Sequence, residues 1–191
     1  VGVPAVVYNE ERVRTGWAEI LLLAERLAPQ PALLPADPEQ RALALGLAHE
    51  ICGELGLGWS QRLVMIGVSL GLREGEGFPR QVGEYLGSRY GWQDGADEIG
   101  KARVLGILDM FSRRLDGHEY VMEDRLTAVD IYLATFVNLI RPLPPEQLPM
   151  VDMIRMAYTS TDPDIMAACD ERIRSHQQRI FQRYLELPVR L

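Results

Sequence analysis

The sequence predicts a mainly helical protein that opens with a short β–β–α unit. Three observations carry this reading. Residues 126–140, LTAVDIYLATFVNLI, place apolar side chains on every side of a 3.6-residue wheel, the pattern of a helix buried all round. Residues 96–115 carry a clear amphipathic period, with Ile99, Val104, Ile107, Leu108, Phe111 and Leu115 on one face and Lys101, Arg113 and Arg114 on the wet side. Strand character is confined to the first 14 residues.

In chain order, residues 3–8 (VPAVVY) are short, β-branched and apolar. Asn9-Glu10-Glu11 breaks them and Val13 reopens apolar character, which predicts a strand, a turn and a brief second strand. A helix follows from Thr15, with Trp17, Ile20, Leu21, Ala24 and Leu27 at helical spacing, and ends before Pro29. Two strands and one helix are marginal alone and need partners. Residues 29–38, PQPALLPADP, hold four prolines and form a linker rather than a regular element. Asp37 then caps a helix with Pro38 at its first position and Glu39 in its first turn. That helix is expected to run to about Leu55, where Gly56 and Gly58 break it. Trp59-Ser60 restart a helix to about Leu72, which Gly75-Glu76-Gly77-Phe78-Pro79 ends. A short piece over 80–90, carrying Val82, Tyr85, Leu86 and Tyr90, stops at Gly91. After the buried helix and Pro142, Pro144 and Pro145 come a short helix near 150–160 and a last helix opened by Asp162-Pro163. The last one is expected to reach about Leu185, with Ile165, Cys169, Ile173, Ile180, Phe181 and Tyr184 facing inward.

The buried helix has a chemical start signal. Thr127 is placed as N-cap and Asp130 three residues on, where its carboxylate reaches back to the Thr127 amide and favours the positive helix end. Two polar side chains at the head of a buried helix are tolerable when each satisfies the other's backbone, so Thr127 and Asp130 read as a structural helix cap, not as catalytic groups.

Composition narrows the function classes. The 191 residues are 47% hydrophobic and 25% charged, enough for one good core or two small ones. A net charge of -7 argues against attraction to nucleic acid or anionic membranes. No apolar run approaches a membrane span and no signal peptide is visible. Cys52 and Cys169 are isolated, which fits free thiols and a cytoplasmic location. A metal site is not expected: His49, Glu50 and Cys52 lie in HEICGE, which lacks the second His of HExxH. Gly56-Leu57-Gly58 follows a helix, whereas a dinucleotide loop follows a strand. The methionines are scattered gap-fillers, and no nucleophile elbow is present.

Leu-Thr-Ala-Val-Asp-Ile-Tyr-Leu-Ala resembles the helix-capping motif in the all-helical C-terminal domain of the glutathione S-transferase superfamily. The Val-Pro start, the proline-rich linker and the closing helix extend the resemblance over nearly the whole chain. It implies residues 1–28 as the second half (β-β-α) of a thioredoxin-like glutathione-binding domain, 29–38 as linker and 39–191 as the helical domain. It also implies that a strand–helix–strand precedes Val1, so the chain is expected to be a fragment or to have an N-terminal part not represented here. The Val3–Pro4 bond is then cis, exposing the Val3 backbone to the cysteinyl part of glutathione.

The start of the first helix becomes a seat for the γ-glutamyl carboxylate. Gly16 and Trp17 stand where the family has an acidic residue and a Ser, keeping the backbone amides without the hydroxyl. Arg62, Met65, Ser69 and Arg73 follow one helical path that would line the pocket for the second, apolar substrate; a solvated face for the arginines and core for Met65 is the competing reading. The implied activity is conjugation or reduction of a small electrophile with glutathione as co-substrate, in a homodimer. The thiol-activating residue is expected upstream of this chain. The rival is a non-catalytic protein of the same fold, serving as a binding or scaffold module.

Overall fold

The computed structural model describes residues 4–73, 75–122 and 125–190. Nine α-helices follow one another: α1 (Trp17–Leu27), α2 (Pro38–Cys52), α3 (Leu57–Ser69), α4 (Arg80–Tyr90), α5 (Ala96–Arg114), α6 (Ala128–Phe136), α7 (Asp152–Tyr158), α8 (Pro163–Ala168) and α9 (Glu171–Tyr184) among the described residues. A 3₁₀ turn, Val137–Leu139, extends α6.

The expected strand pair is reduced to a single antiparallel bridge. Val6 and Arg14 exchange both backbone hydrogen bonds at 2.9 Å, and no longer strand forms among the described residues. The reason is the absence of a neighbour: a two-stranded ribbon with no third strand and no covered face gains too little to propagate. Val7 and Val13 accordingly stand exposed. The Val3–Pro4 bond involves Val3, which lies outside the described residues. Glu11 ties the turn to α1 through ion pairs with Arg14 and Arg26.

The linker is docked on the bundle. The Glu25 carboxylate of α1 accepts the amides of Leu33 (2.8 Å) and Leu34 (3.3 Å). Leu33 O accepts the amide of Ala128 at 2.8 Å, joining the linker to the head of α6. Leu34 is buried in the same cluster as Leu21, so α1 shares the main core.

Asp37 caps α2 as expected from the sequence, its carboxylate accepting the Gln40 amide at 2.9 Å with Pro38 at the first position. Helix α2 stops at Cys52 rather than near Leu55, because Gly53 leaves the helical path and Leu55 takes a left-handed φ of 58°. The elbow into α3 is pinned by Arg103 of α5, which donates to Leu55 O (3.0 Å) and pairs with Glu50 (2.7 Å). Helices α3 and α5 approach closely at Gly100, where a Cβ would lie 2.7 Å from Ser60 O.

The main core lies between α2, α5 and α6, with α9 closing it: Ala48, Ile51, Val104, Leu108, Phe111, Val129, Leu133 and Ile173 are buried there. Two inward assignments and two helix bounds need correction. Ile99 is 58% exposed, because it lies on the far side of α5 from Val104, Leu108 and Phe111, while Ala96, Asp97 and Gly100 carry this end of the helix against α3. Tyr184 is also exposed, its hydroxyl 2.6 Å from that of Tyr120 at the rim. The last helix is two helices: the chain breaks at Cys169, and Asp170 recaps α9 by accepting the Ile173 amide at 3.2 Å. Likewise α3 ends at Ser69, short of Leu72. No helix among the described residues is long and apolar enough to cross a membrane.

Candidate binding site

Helix α6 positions the site. Its head is locked by the Thr127–Asp130 capping box. The Asp130 carboxylate accepts the Thr127 amide (2.8 Å), the Thr127 hydroxyl (2.9 Å) and the Val121 amide (2.8 Å). A fourth partner comes from α9, where His176 Nε2 lies 3.0 Å from Asp130 Oδ1. Asn138 plays the same part at the other end: its side-chain oxygen accepts the Leu143 amide (2.9 Å) and Gln177 Nε2 (3.1 Å). With both ends fixed, the side chains of α6 have one orientation.

One of those side chains, Phe136, faces the elbow between α2 and α3. A Cβ at Gly58 would lie 2.2 Å from the Phe136 ring, so the ring fits only because position 58 has no side chain. Beside this contact opens a cavity of about 400 Å³. Its walls include Phe136 and Thr135 from α6, Trp59 and Arg62 from α3, Tyr90 from α4 and Cys52 from the end of α2. Trp59 and Tyr90 meet nearly edge to face, with ring centroids 4.9 Å apart. Three aromatic rings and one cation form a surface suited to a planar apolar ligand.

The thiol in this wall is inert. Burial pushes Cys52 up to about 12, so it carries its proton at neutral pH and is no nucleophile. Burial, with Cys52 alongside, also raises the neighbouring Tyr132 to about 12.

The start of α1 reaches this wall through Tyr132, which neighbours Cys52. Trp17 packs its indole against Tyr132 (T-shaped, centroids 6.1 Å) and near His49 (6.2 Å). Gly16 is the N-cap, extended at φ -80° and ψ 136°, with no side-chain cap of its own. Glu19 fills part of this role. Its carboxyl is held below the usual carboxylate range, chiefly by Arg12 and also by the Gly16 backbone amide. Pro4 is exposed at the beginning of the described chain, and Val3 lies outside it.

Of the four residues predicted along this helical path, three divide between two cavities and Ser69 lines neither. Arg62 lines the aromatic one. Met65 and Arg73 line a second cavity of about 300 Å³ on the other side of the helix, with Gln61, Glu98 and Asp162. Ser69 is engaged internally, donating to Met65 O (2.8 Å) and accepting the Phe78 amide (3.0 Å). Arg73 is enclosed by carboxylates: Glu98 at 2.7 Å, Asp97 at 2.8 Å and Asp162 at 3.4 Å. Lys101 completes this cluster with Asp164 (2.7 Å) and Asp162 (2.8 Å). Burial pushes Asp162 up, but the Lys101 hydrogen bond and the amides of Ile165 and Asp164 outweigh it and bring the carboxyl below its usual value.

Nothing in the sequence alone marks Trp59, Tyr90 and Phe136 as one site. Trp59 and Arg62 at i and i+3 carry a local signal of one shared face, whereas Tyr90 and Phe136 reach it only through tertiary packing.

Residues 83–156 match the family described as the glutathione S-transferase C-terminal domain. That span contains α5, α6 and two of the cavity's aromatic residues, Tyr90 and Phe136. No curated protein matches the chain. Among solved structures, it is similar to the holo form of maleyl pyruvate isomerase, described as a bacterial glutathione S-transferase of the zeta class. The identity is 21% and the TM-score 0.45, over 91% of this chain and 72% of that one.

Proposed function

We propose that this chain, a member of the glutathione S-transferase superfamily by its helical domain, conjugates or reduces a small electrophile with the glutathione thiol. The observation that carries the reading is the adjacency of two surfaces. Trp17 at the start of α1 packs on Tyr132, which neighbours Cys52 in the cavity wall, so a continuous line of side chains joins the two surfaces. On this reading residues 1–28 belong to the glutathione-binding domain, 29–38 are the linker and 39–191 the helical domain. Val3 and Pro4 hold the cysteinyl backbone of glutathione, and the amides at Gly16 and Trp17 receive its γ-glutamyl carboxylate. Arg62 and the aromatic wall take the electrophile. The nucleophile is the glutathione thiolate, since Cys52 stays protonated. The protein then acts as a homodimer in a reducing cytoplasm.

A second reading, a binding protein that retains the fold without the thiol chemistry, is favoured by Glu19. Its carboxylate already faces the Gly16 amide and is neutralised by Arg12, so part of the anion seat at α1 is taken. Retention on immobilised glutathione with release by free glutathione, followed by turnover of a generic electrophile, tests both. Retention with turnover supports the transferase. Retention without turnover supports the binding protein, and no retention overturns the glutathione reading.

A further inference from the structure

We infer that the ligand of the aromatic cavity is a planar apolar carboxylate and that Arg62 is the group that recognises its charge. This rests on the reading of that cavity as the second-substrate site and names the class of substrate it takes.

Arg62 carries an unmatched charge. The chain carries a net charge of -7, yet the guanidinium of Arg62, on a half-buried residue, has no carboxylate partner among the described residues. Its contacts are the Met65 sulfur, 3.9 Å from one terminal nitrogen, and the rings of Tyr158 and Phe78, whose centroids lie 5.4 and 6.0 Å from its central carbon. Ring faces attract the charge but are weak acceptors for its N–H groups. Nε is buried with no hydrogen-bond partner. Arg73, just past the end of the same helix, has three carboxylates around it. The difference between these two arginines is the missing anion at Arg62.

Arg62 lines the aromatic cavity and not the one beside Arg73. Among the described residues no Asp or Glu lines the aromatic cavity, and the Cys52 thiol in its wall is held neutral by burial. The other cavity has Glu76, Glu98 and Asp162 in its wall, with its cation already neutralised. Trp59, Tyr90 and Phe136 supply faces and edges for a flat apolar body. A guanidinium presents paired donors that match a carboxylate in a bidentate fork, which an amide or ester of the same shape cannot fill.

The test uses the full chain and two probes of equal shape, naphthalene-2-carboxylate and naphthalene-2-carboxamide, titrated by calorimetry without glutathione. The carboxylate is expected to bind about tenfold more tightly than the amide, a preference that narrows as salt is raised. Arg62→Met should abolish the preference while leaving amide binding within about twofold, and Arg62→Lys should retain part of it. Circular dichroism and the thermal midpoint check that the variants fold; if neither does, the wild-type comparison of the two probes decides. Equal affinity for the two probes, a preference that survives Arg62→Met, or no binding of either overturns the inference. Glutathione retention is measured separately, so a chain that selects the carboxylate but ignores glutathione refutes the proposed transferase while keeping this site.

Discussion

His176 Nε2 lies 3.0 Å from Asp130 Oδ1, and neither side chain has any exposed surface. The pair joins the head of α6 to the middle of α9, 46 residues apart. His176 Nδ1 is buried without a partner, so the proton of the neutral ring belongs on Nε2, where Asp130 accepts it.

Asp130→Ala would strand four donors at once: the amides of Val121 and Thr127, the Thr127 hydroxyl and His176 Nε2. We expect a loss of about 3–5 kcal/mol, against about 1–2 kcal/mol for Thr127→Ala, which removes one capping group. Denaturant midpoints measure both. A loss below about 1 kcal/mol for Asp130→Ala would mean that water reaches the head of α6, contrary to the buried network.

How far this was legible in the sequence follows from the same residues. Thr127 and Asp130 are three positions apart, so their contact is local and readable; His176 is 46 residues beyond Asp130 and becomes a partner only when α9 packs on α6. The helix over 96–115 was evident from its period, yet Ile99 faces solvent, because it lies off the stripe of Val104, Leu108 and Phe111 and an apolar side chain alone does not put a position on the buried face. The strand pair is reduced to one bridge, since a ladder needs a third strand or a covered face and neither is present among the described residues. Arg62 and Arg73 have the same side chain on one helical path. Only tertiary packing shows that Arg73 is neutralised and Arg62 is not.

Gly58→Ala tests the contact that shapes the cavity. Its Cβ would press into the Phe136 ring, and overpacking of this kind costs about 1–3 kcal/mol. Phe136→Leu in the same chain should recover part of that loss by withdrawing the ring. Thermal midpoints that are additive across the two substitutions would show that the residues do not touch.

Stability should also decline on the alkaline side. Burial raises Cys52 and Tyr132 to about 12 and Cys169 to about 11. The folded chain therefore keeps these protons above the unfolded thiol value of about 8.5, and the unfolded chain releases them. Their contribution is complete below the unfolded values and is lost as pH rises through the folded ones. Cys52→Ala and Cys169→Ala should each flatten the stability curve from about pH 9 upward. An unchanged slope in both would place the thiols in contact with water.

Gly16→Ser should stabilise the chain slightly. Position 16 is an N-cap with extended backbone, and a Cβ there would meet only Glu19, at 3.5 Å or more, an ordinary contact. A serine hydroxyl would accept one of the free amides of the first turn, a gain of a few tenths of a kcal/mol over glycine. It would also add a hydroxyl donor for the γ-glutamyl carboxylate proposed to sit at this turn. The single substitution leaves Glu19 in place, however, with its carboxylate held ionised by Arg12 and facing the Gly16 amide. Glu19→Gln removes that competing charge while keeping the shape of the side chain. The double variant Gly16→Ser with Glu19→Gln should therefore bind glutathione more tightly in calorimetry than either single variant, and at least several-fold more tightly than the parent. Should the double variant gain stability without gaining affinity, the start of α1 is a capped helix and nothing more, and the γ-glutamyl carboxylate belongs elsewhere.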